Sequence, residues 1–270
     1  MISVTDLTGY LYCPRKLYFG KVLGIKEKPK ELTIKGKIKH AVFEDAGRED
    51  KTLLSSLTEK DTIESLERKY KTLYYKVLMF HVLHAKKEIE EQGLNPLEIY
   101  RELWPFFLKE AQEKSITFYN LAQEKKVYGE ELWLAVPKGI PELKIVSQAL
   151  GVVGVIDRVD IDRGYLPIEI KTGKAPQDGV WREHMIQVGT YMLLLSEYYG
   201  MEIKEGYVEY RTVNEQRRVM MNPFLKEEIL ELIQRVQEML NRKDLPQKIT
   251  DRRKCEACGI REVCYSQKYA

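Results

Sequence analysis

The 270-residue chain contains no long hydrophobic run. Its longest apolar stretch, Ala149 to Ile156, is strand-sized and contains Gly151 and Gly154. A bilayer span needs roughly 18–20 apolar residues, so no membrane-spanning helix and no membrane partner are expected. Met1–Asp6 shows no basic segment leading into an apolar one. No secretory signal is therefore expected, and the cytoplasm is the default location. Cysteine is scarce, and in a reducing compartment the four copies are not expected to form structural disulfides. Net charge is nearly absent: 44 Lys+Arg stand against 41 Asp+Glu, and +3 does not by itself indicate a nucleic-acid partner. The basic residues are unevenly placed, however. Residues 14–39 carry Arg15, Lys16, Lys21, Lys26, Lys28, Lys30, Lys35, Lys37 and Lys39 against only Glu27 and Glu31. The tail carries Arg242, Lys243, Lys248, Arg252, Arg253, Lys254, Arg261 and Lys268 against Asp244, Asp251, Glu256 and Glu262. Both ends are candidates for an anionic partner. Hydrophobic residues at 44% are enough for a real core, which excludes wholesale disorder.

The chain shows no internal repeat and no low-complexity tract. Thr5 to Phe19 reads as two short helices broken at Cys13-Pro14. Lys35 to Gly47 reads as a helix, with Ile38, Ala41, Val42 and Ala46 at helical spacing. Helical periodicity runs from about Thr58 to Glu124, interrupted at Asn95-Pro96. From Lys125 the texture changes. Val127–Val136, Lys144–Leu150, Val152–Ile161 and Tyr165–Ile170 read as strands, with a turn at Asp162-Arg163-Gly164. Trp181–Tyr199 reads as a helix, Lys204–Arg211 and Gln216–Met221 as a strand pair, and Pro223–Leu240 as an amphipathic helix opened by Pro223. This order gives an α+β fold. Its expected parts are an N-terminal segment 1–35, a main domain 36–241 with a helical insertion at about 50–125, and a cysteine-bearing segment 242–270.

Ile168-Glu169-Ile170-Lys171 is the first candidate for chemistry. Alternation in a strand puts Glu169 and Lys171 on one face. The same Glu-x-Lys spacing recurs at Glu49, Glu67, Glu124, Glu142 and Glu202, so spacing alone is uninformative. Context separates Glu169 from the rest. Asp157 sits inside the preceding apolar strand, Gly154 to Asp160, and a hairpin would bring it beside Glu169. A carboxylate in such a strand is costly to bury unless paired or metal-bound. Two carboxylates suit a hard cation such as Mg²⁺ or Mn²⁺, and the lysine suits developing charge. Asp160 and Asp162 read as turn residues. Gln187 and Tyr191 share a helix face, as do His40 and Glu44. A histidine added to two carboxylates would favour Mn²⁺ over Mg²⁺. His81 and His84 lie in the insertion without an acidic pattern, and His184 is a weaker substrate-contact candidate.

All the cysteines fall near the chain ends: Cys13, then Cys255, Cys258 and Cys264. Four thiolates suit tetrahedral Zn²⁺ or an iron–sulfur cluster. The C-x₂-C-x₅-C spacing with a remote fourth cysteine is not the paired knuckle of a zinc ribbon, and it favours the cluster. Either group would tie the two basic ends together.

This set resembles the RecB-like nucleases of the PD-(D/E)xK superfamily. More narrowly, it is similar to the CRISPR-associated RecB-like exonucleases, the family-four Cas proteins with four cysteines. Gly36, His40 and Glu44 match the G-x-x-x-H-x-x-x-E helix, and Asp157 matches the G-x-x-D strand. Glu169 and Lys171 match E-x-K, and Gln187 and Tyr191 match Q-x-x-x-Y. Tyr12-Cys13-Pro14-Arg15 and the C-terminal trio match the cysteine pattern. The resemblance implies a mixed sheet flanked by helices. It implies Mn²⁺ or Mg²⁺ held by His40, Asp157, Glu169 and the Ile170 carbonyl, with Lys171 assisting hydrolysis of a phosphodiester and Gln187 and Tyr191 completing the site. It also implies a 4Fe–4S cluster on Cys13, Cys255, Cys258 and Cys264. The activity implied is a single-strand DNA exonuclease that prepares DNA for CRISPR spacer acquisition alongside the integrase proteins. A weakly catalytic DNA-binding or scaffold subunit and a RecB-like repair nuclease outside CRISPR are the competing readings. The long helical stretch between His40 and Asp157 departs from the pattern. It reads either as a wall around single-stranded DNA or as a docking surface for the integrase.

Overall fold

The computed structural model describes residues 1–25, 27, 30–242 and 244–269. Lys26, Lys28 and Lys243 of the basic ends lie outside the described residues. In chain order the elements are β1 (Ile2–Ser3), α1 (Val4–Tyr12), α2 (Pro14–Lys21), α3 (Glu31–Ser55), α4 (Ile63–His84), α5 (Lys86–Glu90), α6 (Pro96–Lys125) and α7 (Glu130–Ala135). Then follow β2 (Gly139–Ser147), β3 (Val152–Asp160), β4 (Leu166–Lys171), α8 (Arg182–Tyr199), β5 (Glu205–Tyr210), β6 (Glu215–Met220), α9 (Pro223–Arg242), α10 (Arg252–Glu256) and α11 (Arg261–Cys264). They form two compact units, Met1–Lys28 with Lys138–Ala270, and Pro29–Pro137. No helix among the described residues is long and apolar enough to cross a membrane.

The first unit is built on a mixed sheet in the order β1-β3-β4-β5-β6, with β2 on the other side of β3. The β-branched run of β3 makes it the central strand. It pairs antiparallel with β2 and β4 and parallel with β1, while β4 and β5 run parallel. Helix α8 lies on this sheet. Its apolar face, including Ile186, Val188 and Leu194, is fully buried with Val152, Ile156 and Val159 of β3. Two glycines permit the close approach. A Cβ on Gly154 of β3 would stand 2.7 Å from Leu194 Cδ1 and 3.1 Å from Tyr191 Cε1. One on Gly206 of β5 would stand 2.6 Å from Val188 Cγ1. The face of α8 that carries Gln187 and Tyr191 is thereby pressed against the strands. Helix α9 opens with Pro223 and buries Leu225, Ile229, Leu232, Ile233 and Val236, one amphipathic stripe.

The second unit is helical. Leu66, Tyr70, Tyr74, Leu78 and Val82 recur every four residues along α4 and are buried. They pack with Leu103, Phe107 and Ala111 of α6 in one core. Tyr70 donates to Asp50 of α3 at 3.1 Å, and Lys114 of α6 meets the same carboxylate at 2.7 Å. Val127–Val136 was expected as a strand from its Val, Tyr and Trp content, but it contains α7. Glu130 and Glu131 occupy that helix's first turn, where acids are favoured, and Leu132 is buried in the helical core. A local β-propensity lost to the position of one apolar side chain.

Candidate active site and cysteine pocket

The hairpin of β3 and β4 pairs Asp160 with Leu166, Val159 with Pro167, and Arg158 with Ile168. At the next step the ladder stops. Instead of a backbone carbonyl, the Asp157 carboxylate accepts the Ile170 N–H at 2.7 Å. Asp157 thus sits opposite Glu169, where both carboxylates share one patch. Burial, and then the Glu169 charge, raise the Asp157 carboxyl well above the usual carboxylate range. At the turn, Asp160 accepts the Asp162 N–H at 3.1 Å, and Asp162 accepts the Lys138 N–H at 2.7 Å.

Glu169 is buried. One of its oxygens accepts from Lys171 Nζ at 2.7 Å, while Oε2 has no hydrogen-bond partner among the described residues. Lys171 Nζ also donates to Gln187 Oε1 at 2.9 Å, and Gln187 Nε2 donates to the Tyr191 hydroxyl at 3.0 Å. This relay fixes the amide's orientation and aims the ammonium between strand and helix. Burial, reinforced by the Glu169 charge, raises the Tyr191 phenol well above its ordinary value. It therefore stays protonated at neutral pH.

A half-buried and a buried carboxylate side by side, the latter with an orphaned oxygen, are unfavourable without a compensating charge. Lys171 neutralises part of it. The remaining oxygens are a donor set of the hard type that Mg²⁺ and Mn²⁺ take, so these residues fit a divalent cation.

Glu142 was passed over as one of the chance Glu-x-Lys acids. It lies on β2 between Pro141, paired with Arg158, and Leu143, paired with Ile156. That places it across from Asp157, whose carboxyl it helps to raise. Its φ of 48° is left-handed, a strained backbone for a glutamate and the kind of outlier that gathers at functional sites. Sequence periodicity carries no signal for such a bulge. His40 and Glu44 lie on α3 of the helical unit, where Glu44 pairs with Arg48. His81, on α4, hydrogen-bonds Asp45 at 2.7 Å.

All four cysteines line one pocket, together with Tyr12, Arg15, Lys16, Lys248, Lys254, Arg261 and Tyr265. Each thiol is free and half-buried. Cys13 caps α2, its sulfur accepting the Lys16 N–H at 3.4 Å. Burial raises the Cys13 thiol, and the charges of Cys258 and Cys255 add to the effect. Protein contacts hold the two ends together. Buried Arg15 donates to the Pro246 carbonyl at 2.8 Å and to that of Tyr269, and Glu27 accepts the Gly259 N–H at 2.5 Å. Four thiols lining one pocket with cations around it have the chemistry of a metal or cluster site that takes thiolates.

Comparison with known proteins adds to this geometry. Residues 1–265 match the model of the PD-(D/E)XK nuclease superfamily. A Cas4 exonuclease/Cas1 endonuclease fusion, CRISPR-associated, from Leptospira interrogans is 26% identical over 136 residues, 48% of this chain and 25% of that protein. A second fusion of the same description, from Myxococcus xanthus, is 26% identical over 132 residues, covering 47% and 23%. The DNA replication ATP-dependent helicase/nuclease JHS1 of Arabidopsis thaliana is 22% identical over 280 aligned positions, covering 98% of this chain and 20% of that protein. The chain thus spans about a quarter of the length of each of these relatives. With its mixed sheet, its flanking helices and a family match running from end to end of the described fold, the chain belongs to the PD-(D/E)XK nuclease superfamily.

Proposed function

We propose that the protein is a Mn²⁺- or Mg²⁺-dependent deoxyribonuclease that trims single-stranded DNA or single-stranded overhangs exonucleolytically. The observation that carries this reading is the adjacent pair of half-buried Asp157 and buried Glu169, with Glu169 Oε2 unpartnered among the described residues and Lys171 beside it. Asp157 and Glu169 would hold the cation. The Lys171 carbonyl accepts from Arg211 on the β5 side, so by strand alternation the Ile170 carbonyl points to the Asp157 side and is available as a further donor. When bound, a divalent ion lowers the pKa of a coordinated water and draws charge from the phosphodiester. Lys171, held by Gln187, offers its ammonium to the charge that develops on the phosphate oxygens.

Cys13, Cys255, Cys258 and Cys264 would carry a 4Fe–4S cluster, with zinc as the alternative occupant. Anaerobic purification distinguishes them: brown protein with iron and sulfide supports the cluster, and stoichiometric zinc refutes it. The Cas4/Cas1 fusions support a place in spacer acquisition with an integrase partner, and a cytoplasmic location goes with that role. JHS1 supports the second reading, a replication or repair nuclease outside CRISPR. Pull-down of an integrase favours the first, and its failure the second.

The deciding test is cleavage of end-labelled single-stranded DNA with Mn²⁺ by wild type, by Lys171→Ala and in EDTA. Cleavage by wild type alone supports the enzyme reading. Binding without cleavage moves a DNA-binding or scaffold role ahead, and an equally active Lys171→Ala protein removes the site as described.

A further inference from the structure

From the aromatic side chains next to Lys171 we infer a nucleobase-stacking subsite, in which Trp181 holds a base beside the scissile phosphate and His184 donates a hydrogen bond to the DNA backbone. This inference rests on the nuclease reading and deepens it by naming how the strand is gripped.

Trp181 is the residue just before α8, and His184 follows one turn before Gln187 on that helix. Tyr210 is the strand partner of Lys171 in the β4–β5 pairing. The three rings form one wall. The Trp181 and His184 centroids are 5.4 Å apart, Trp181 and Tyr210 meet edge-on at 6.4 Å, and His184 and Tyr210 are 5.7 Å apart. Tyr210 is fully buried, yet Trp181 is 37% exposed and lies outside the apolar core. A partly exposed indole resting edge-on against buried Tyr210 offers the kind of aromatic surface that single-strand binding proteins use, because every base has a π-face.

The wall is fixed in place. Arg217 lies over the Tyr210 ring at 5.2 Å and donates to the carbonyls of Pro176 and Gly179 at 2.8 and 2.7 Å. Thr212 donates to the Gly173 carbonyl at 2.8 Å. The chain from Lys171 to Trp181 is therefore tied at three carbonyls, so little ordering would be left for binding.

The Tyr210 hydroxyl lies 2.9 Å from His184 Nδ1. The subsite takes the tautomer in which that hydroxyl donates to Nδ1. Neutral His184 then carries its own proton on Nε2, which has no partner among the described residues. Burial, aided by the Lys171 charge, lowers this histidine to about 4, so it is neutral at physiological pH. A neutral donor beside a lysine adds a phosphate contact without a second buried charge.

The test uses the full-length protein with Mn²⁺ and end-labelled single-stranded DNA, intact or with one abasic site walked along it. Stacking on one aromatic ring supports a loss of roughly 5- to 150-fold on truncation, so Trp181→Leu should raise KM by that factor and leave kcat near wild type. Trp181→Phe should restore most of it. An abasic site at one position should weaken wild type but not Trp181→Leu. His184→Ala should raise KM by roughly 2- to 10-fold, the range of a neutral hydrogen bond. An unchanged KM in Trp181→Leu, or an abasic effect that persists in it, overturns the subsite while the nuclease reading stands. No abasic effect at any position in wild type overturns it whether or not the variants fold. A wild type that neither binds nor cuts DNA overturns both.

Discussion

Asp157→Asn separates the cost of the site from its use. Asparagine keeps an oxygen acceptor for the Ile170 N–H, now met at 2.7 Å, and leaves the Lys171–Glu169 pair intact. What it removes is one of two desolvated like charges. Leaving a buried polar group incompletely paired costs about 1–3 kcal/mol, more when charged, so relief of about 1–2 kcal/mol is a conservative figure. For a unit of this size, each kcal/mol moves Tm by about 2–4 °C, so metal-free Asp157→Asn should melt about 2–8 °C above wild type at pH 7.5. The pH dependence has a definite sign. A carboxyl raised on folding binds its proton more tightly in the native state, so its penalty is absent below the ordinary unfolded value near about 4. The penalty grows with pH and is complete above the raised native value. The two melting curves should therefore converge at acid pH and separate toward neutrality. Mn²⁺ reverses the order. At a hundred times its Kd a bound ion stabilises by about 2.7 kcal/mol, which wild type should gain and Asp157→Asn should largely lose. Melting curves from pH 4 to 8, in EDTA and in Mn²⁺, supply the measurement. If Asp157→Asn is the less stable protein at pH 7.5 in EDTA, the carboxylate is a net stabiliser and the electrostatic account of the site is wrong.

Gln187→Ala removes one of the two acceptors of Lys171 and should lower kcat by up to about 10²-fold with KM little changed, since misplacement of a catalytic group acts on the chemical step. Cys13→Ser, with Cys255, Cys258 and Cys264 intact, should reduce bound iron or zinc, measured by elemental analysis of anaerobically purified protein. Affinity for single-stranded DNA should fall with salt, with a log–log slope of about −0.7 per phosphate neutralised, and a flat response would remove the basic ends from the interface. Gly206→Ala should destabilise by about 1–3 kcal/mol in denaturant titrations, because its Cβ meets both Val188 and the Pro167 backbone.

The strands that carry the site were readable because their residues are β-branched and their one misplaced acid, Asp157, is costly to bury. Asp157, Glu169, Lys171, Gln187 and Tyr191, named from their motifs, lie together across two strands and one helix. The cysteine pattern likewise anticipated that Cys13 and the C-terminal trio would line one pocket. What holds those ends was not readable. Arg15 and Glu27 act on backbone carbonyl and amide groups more than 200 residues away, and backbone acceptors leave no trace in residue types. Glu142 was hidden for a different reason: its left-handed φ breaks the alternation on which strand reading depends. Trp181 was not readable in sequence, and His184 only as a weak substrate-contact candidate, because their grouping comes from Tyr210, a partner on another strand.

The Glu-x-Lys pattern shows how little spacing decides until the backbone is known. Glu49 and Lys51 lie within α3, and Glu67 and Lys69 within α4, where residues two apart do not face each other. Glu124 and Lys126 straddle the end of α6, and Lys126 is itself left-handed. Glu202 and Lys204 pair at 3.2 Å with both side chains exposed, a contact of little energetic consequence. Glu142 is followed by Lys144 on a strand, but its backbone turns it out of the alternation. At Glu169 and Lys171 the pleat is regular, the next strand brings a second acid, and the ladder gives way to a carboxylate accepting a backbone N–H. The open step in the ladder is what sets this charge pair apart from the others. A change that restored backbone pairing between residues 157 and 169 should therefore close the site while leaving every motif residue in place.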